Sequence, residues 1–178
     1  SVRQFQHPDL VAEVTDVLRQ TRLDPTCLHL ELTEGVMMKE VESTARTLHG
    51  LKALGSQLAI DDFGTGYSSL NYLKRFRPDT LKMDRSFIGG LEQDHEDAAI
   101  VRAIIGLADA LGIRMVAEGV ETTAQAQTLC TLGCGLAQGY HFARPLPAAG
   151  AATLLANSDL ILMEQLAVAG RIGNGPGG

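Results

Sequence analysis

Residues 58–70 read Leu58-Ala59-Ile60-Asp61-Asp62-Phe63-Gly64-Thr65-Gly66-Tyr67-Ser68-Ser69-Leu70. An apolar run ends at two adjacent carboxylates and then becomes a glycine loop. The run from Gln57 to Asp61 has the length and composition of a buried strand. Adjacent like charges repel, and withdrawing them from water costs more still. An isolated Asp-Asp pair is ordinarily a solvated strand end or a helix cap. The rest of the chain gives this pair a different setting.

The surrounding sequence repeats the pattern. Cys27–Thr33 reads as a strand ahead of this one, and Thr80–Asp84, Ile113–Ala117 and Gly135–Gln138 read as strands after it. Helical spacing fills the intervals. Leu10, Val11, Val14, Val17 and Leu18 share a face within Pro8–Thr21, with Pro8 suited to a first turn. Val41, Ala45, Leu48 and Leu51 do so within Glu40–Leu54, ahead of Gly55 as a stop. Val101, Ile104, Ile105, Ala108 and Leu111 form a third stripe within Asp94–Leu111. Thr122–Leu132 is expected to be helical, as is Leu146 to about Ala169 with a break near Asn157-Ser158. Strands alternating with helices predict an α/β fold with parallel strands and crossover helices.

Every expected strand finishes in a polar side chain. The ends carry Glu31 with Glu34 close behind, Asp61 with Asp62, Lys82 with Asp84, then Glu118, then Gln138. The steps of 30, 21, 36 and 20 residues suit βα units with loops of varied length. A parallel barrel gathers such ends on one rim, where barrel enzymes keep their chemistry. Glu31, Asp61, Asp62 and Glu118 are then expected to converge around Lys82. Four carboxylates together repel, and hard divalent cations such as Mg2+ or Mn2+, which prefer oxygen ligands, relieve that repulsion. Asp61 can bridge two ions, and paired metals about 3.5–4 Å apart recur in phosphodiester hydrolysis. Lys82 can orient a hydroxide and offset charge developing on phosphorus. Each piece has a blander reading alone: Lys82 and Asp84 as a surface ion pair worth under about 1 kcal/mol, Glu118 as the end of a strand before Gly119. The signal lies in the set of five successive ends.

Phe63–Ser69 lacks the Lys of a P-loop and the third Gly of a dinucleotide fingerprint. Its glycines and hydroxyls fit a mobile cover that latches onto Glu34 or onto a ligand. Composition narrows the partners. The 178 residues suit one domain or most of one, 45% hydrophobic and 20% charged. No run approaches 18 apolar residues and no cleavable leader is visible, so membrane contact is expected only through other domains. A net charge of −6, no Trp and 4% aromatics argue against a nucleic acid polymer. Cys27, Cys130 and Cys134 read as free thiols of a reducing compartment rather than a zinc site. Gly170–Gly178, with five glycines and a proline, reads as a disordered tail.

Five stretches resemble the EAL-domain family, bacterial phosphodiesterases for cyclic di-GMP. They are Glu31-Leu-Thr-Glu34, Asp61-Asp-Phe-Gly-Thr-Gly-Tyr-Ser-Ser-Leu70, Leu81-Lys-Met-Asp-Arg-Ser-Phe-Ile88, Val116-Ala-Glu-Gly-Val-Glu-Thr122 and Ala137-Gln-Gly-Tyr-His-Phe-Ala-Arg-Pro-Leu-Pro147. The resemblance implies a TIM-type (β/α)8 barrel, of which about the last five βα units fall in this chain, and a domain over residues 1–169. It implies that Glu31 and Asp61 hold one metal, that Asp61, Asp62 and Glu118 surround a second, and that Lys82 positions the attacking water. Glu34 resembles the glutamate that holds the glycine loop, and Gln138, Phe142, Pro145 and Asp84 fall where the family meets its ligand. The implied reaction is hydrolysis of cyclic di-GMP to the linear dinucleotide pGpG in the cytoplasm. A homodimer through the loop and helix after Asp62 is implied as well.

The chain departs from the family in three ways. The namesake Glu-Ala-Leu segment, with the phosphate-gripping Arg that follows it, is expected roughly 60 residues before Ser1. The Asn of the first metal site is expected two positions upstream of Ser1. Gly35 stands where a Ser is usual, which is expected to loosen the loop's anchor. The 178 residues alone are therefore expected to turn over little substrate. A receptor that binds cyclic di-GMP without cutting it, and a protein-interaction domain, are the alternative readings.

Overall fold

The computed structural model describes residues 2–5, 7–37, 41–66, 70–91 and 95–156. The expectations for Tyr67–Ser69, for the helix beyond Ala156 and for the glycine tail lie outside these residues. The chain divides into two compact units, residues 1–83 with 112–114, and residues 84–111 with 115–178.

The first unit contains, in order, helices α1 (Val2–Phe5) and α2 (Leu10–Thr21), strand β1 (His29–Thr33), helices α3 (Glu34–Met37) and α4 (Val41–Ala53), strand β2 (Gln57–Phe63), helix α5 (Leu70–Phe76) and strand β3 (Thr80–Met83). The three strands are parallel, in the order β1-β2-β3. β1 starts two residues later than its sequence suggests. Asp24 accepts from Thr26 N–H at 2.9 Å and Pro25 opens a short 3-10 turn, which holds Cys27 out of the strand. Of the expected stripe of α4, Ala45, Leu48 and Leu51 are buried. All four residues of β3 are buried, Lys82 included.

The second unit contains helices α6 (Ser86–Gly89) and α7 (His95–Leu111), strand β4 (Arg114–Glu118, its first residue grouped with the first unit), helix α8 (Thr123–Thr131), strand β5 (Leu136–Gln138) and helix α9 (Ala148–Ala156). β4 and β5 are parallel, with Glu118 in register with Gln138. Val101, Ile105 and Ala108 of α7 are buried as expected, whereas Leu111, its last residue, is exposed. The fold class is that expected: parallel strands, each followed by helix. Among the described residues no helix is long and apolar enough to cross a membrane.

Candidate functional site

The register of β2 explains the Asp-Asp pair. Ile60 faces Leu81 and Phe63 faces Met83, so the β2 segment is one residue longer than the β3 segment it opposes. The extra residue is a β-bulge at Asp61 and Asp62. Asp62 takes the left-handed backbone conformation, φ 54°, which Asp tolerates better than most residues. In a regular strand the two side chains would point to opposite faces. Here the bulge brings an oxygen of each carboxylate to within 4.8 Å of the other. Two unit charges at that separation repel by about 3 kcal/mol at an effective dielectric near 20.

Lys82 answers part of that charge. Its Nζ donates to Glu31 Oε2 at 2.8 Å and lies 3.0 Å from Asp61 Oδ1. The lysine is buried, Asp61 is half-buried and Glu31 is exposed. The contact to Asp61 is an ion pair but is not aligned as a hydrogen bond. The buried Oδ1 has no hydrogen-bond donor among the described residues. A buried carboxylate oxygen with an unused lone pair, beside a second carboxylate, is a donor set suited to a hard cation.

Glu34 opens α3 directly after β1 and is buried, with neither carboxylate oxygen hydrogen-bonded among the described residues. A Cβ placed on Gly66 would sit 3.3 Å from its Cδ and Oε2. Gly66 thus lies directly against this carboxylate, and a side chain at position 66 would crowd it. Position 35 is open: nothing stands within 4 Å of where a Cβ would be. Within the loop, Thr65 N–H and hydroxyl both donate to Asp62 O, at 3.3 and 2.9 Å.

In the second unit Asp84 follows β3 and accepts from Ser86 N–H at 3.0 Å. The Ser86 hydroxyl and N–H hold its carboxyl below the usual carboxylate range. Glu118 and Gln138 sit side by side at the ends of β4 and β5, the first half-buried and the second exposed. Phe142 is half-buried and packs edge-on against His141, ring centroids 4.9 Å apart, while Pro145 is exposed. Arg144 lies over the Tyr140 ring at 4.6 Å, a contact the motif reading does not anticipate. Sequence reasoning also passes over Gln125, which is buried and bonded through both ends of its amide. Its signal is the spacing Thr122-x-x-Gln125, a capping box.

The chain is thus an α/β protein of parallel strands, with Glu31 and Asp61 gathered around the buried Lys82 at the strand ends. Comparison with known proteins makes this particular. A profile of the EAL domain matches residues 1–145, and the chain belongs to that family. It is 48% identical over 148 residues to a bifunctional diguanylate cyclase/cyclic di-GMP phosphodiesterase, MucR of Pseudomonas aeruginosa, covering 83% of this chain and 22% of that protein. It resembles the structure of the MucR phosphodiesterase in complex with c-di-GMP, with a TM-score of 0.81 and 47% identity, over 85% of this chain and 61% of that one. It also resembles a manganese and cyclic di-GMP complex of BlrP1 from Klebsiella pneumoniae, with a TM-score of 0.75 and 37% identity, over 80% of this chain and 36% of that one. The chain thus spans less than a quarter of MucR.

Proposed function

We propose that this EAL domain hydrolyses one phosphodiester bond of cyclic di-GMP to give linear pGpG, with two divalent cations, Mg2+ or Mn2+, in the cytoplasm. The observation that carries this reading is the Glu31–Lys82–Asp61 constellation, in which the buried Asp61 Oδ1 is ion-paired to Lys82 but has no hydrogen-bond donor among the described residues. Glu31, Asp61, Asp62 and Glu118 are the proposed ligands; all offer carboxylate oxygen, which suits these ions. Held by these residues, such cations would supply charge neutralisation and water activation.

The chain's own side chains do the rest. Lys82, buried and already committed to two carboxylates, is fixed in place to orient the attacking water and to counter negative charge building on the phosphate. Glu34, against which Gly66 packs, is the proposed anchor of the glycine loop. Asp84, Gln138, Phe142 and Pro145 are the proposed contacts to the nucleotide. A homodimer through the loop and helix after Asp62 is proposed on the family resemblance alone. Any membrane contact is left to other domains.

The test is a chromatographic assay of cyclic di-GMP cleavage by the full-length protein with Mn2+ or Mg2+. Lys82→Ala and Glu118→Gln are expected to lower turnover by about 10²–10³-fold while the fold persists. Nucleotide binding without product would make the domain a receptor, and absence of binding would leave an interaction module.

A further inference from the structure

The loop that follows Glu118 is held from several sides. Val120 N–H donates to Gln138 O at 3.1 Å, and Val120 O accepts from His141 N–H at 3.0 Å. Gly139 packs so tightly on the Val120 backbone that a Cβ there would stand 2.1 Å from Val120 O. The next two donors, Glu121 N–H at 2.8 Å and Thr122 N–H at 3.1 Å, both go to Gln125 Oε1. The Thr122 bond is half of a capping box, completed by Gln125 N–H donating to Thr122 Oγ1 at 3.1 Å.

A capping box accepts Glu or Gln at this position alike. What distinguishes glutamine is its second hydrogen-bonding group. Gln125 Nε2 donates to Ile88 O of α6 at 3.3 Å, within a buried setting. α6 begins two residues after Asp84, which accepts from Ser86 N–H. One side chain therefore joins the loop leaving Glu118 to the turn leaving Asp84.

We infer that Gln125 is a positioning residue for the reaction: its amide ties the post-β4 loop to α6 and so holds Glu118 in place relative to Asp84. This rests on the phosphodiesterase reading above. A purely local helix cap would need only the Oε1 half of the side chain.

Three variants of the full-length protein separate the two roles. Gln125→Glu keeps an acceptor for Glu121 and Thr122 but sets a carboxylate oxygen against the Ile88 carbonyl. Thr122→Ala removes the cap hydroxyl and leaves the tie. Gln125→Met removes both functions without adding charge. For Gln125→Glu and Gln125→Met, kcat for cyclic di-GMP is expected to fall about tenfold or more, with KM nearly unchanged. Amide exchange across residues 84–91 is expected to quicken in both. Thr122→Ala is expected to lower Tm while kcat and exchange across 84–91 stay at wild-type values. Wild-type kcat in Gln125→Glu, or a kcat loss in all three that simply follows Tm, would overturn the inference. Should the wild type show no hydrolysis, the phosphodiesterase reading fails by itself; the tie then stands if exchange across 84–91 quickens in Gln125→Met but not in Thr122→Ala, and falls otherwise.

Discussion

Two lysine–aspartate pairs sit at opposite ends of β2 and β3, and they are built differently. At the start of the strands, Lys52 donates to Asp79 Oδ1 at 3.0 Å and to Arg77 O at 2.6 Å. The other Asp79 oxygen accepts Leu58 N–H at 2.8 Å, and Asp79 N–H returns a bond to Leu58 O, also at 2.8 Å. Asp79 O then accepts Arg114 N–H, the first residue of β4. Both carboxylate oxygens are used, and the arrangement fixes the register in which β2 and β3 start. At the far end, Lys82 and Asp61 lie at the same 3.0 Å separation, but among the described residues Oδ1 has no hydrogen bond, and Lys82 is shared with Glu31. The first pair is closed and serves the fold. The second keeps coordinating capacity in hand, as expected where a protein departs from full satisfaction to bind something.

This contrast gives a graded set of expectations. The largest effect belongs to the open pair. Asp61→Asn is expected to abolish both cyclic di-GMP turnover and the rise in Tm on adding Mn2+, while leaving the metal-free Tm close to wild type. A metal-induced rise that survived in Asp61→Asn would remove Asp61 from the ligand set. A smaller effect of the opposite kind belongs to the closed pair. Asp79→Ala leaves Leu58 N–H and Lys52 without their carboxylate, which costs about 1–3 kcal/mol and is read as a Tm lower by several degrees. Mn2+ binding by the folded fraction is expected to persist, and a variant losing both equally would erase the distinction between the two ends.

The smallest effect concerns Asp84, whose carboxyl is held below the usual range by Ser86. A group with a depressed folded pKa stabilises the fold fully above its unfolded value, about 3.9, and that contribution is lost as pH falls through the lower folded value. Acid titration of stability is therefore expected to lose a small component below about pH 4 that is absent in Asp84→Asn. Identical acid profiles would show that the Ser86 bonds do not differ between folded and unfolded chains.

Much of this was legible in the chain itself. The alternation of apolar runs and helical stripes, the polar residue at each strand end and the five motifs identify the fold class and the family, because each is a local pattern that burial or spacing imposes. Glu31, Asp61 and Lys82 could be grouped from their equivalent positions on successive strands, and the first unit brings those three together. Strand limits were less legible. β1 begins late because Asp24 and Pro25 form a turn, and β2 runs two residues further, to Phe63, because the bulge continues it.

By itself the sequence determined which chemistry is available: carboxylates, one lysine and a glycine loop, set at the ends of buried strands by the periods of helix and sheet. Only the tertiary structure decided how those groups meet. The bulge that turns Asp61 and Asp62 toward each other exists in the register between β2 and β3, and the roles of Asp79 and Gln125 exist only in bonds to Leu58, Lys52 and Ile88. Register and long-range hydrogen bonds depend on pairs of segments far apart in the chain, and no single segment encodes them.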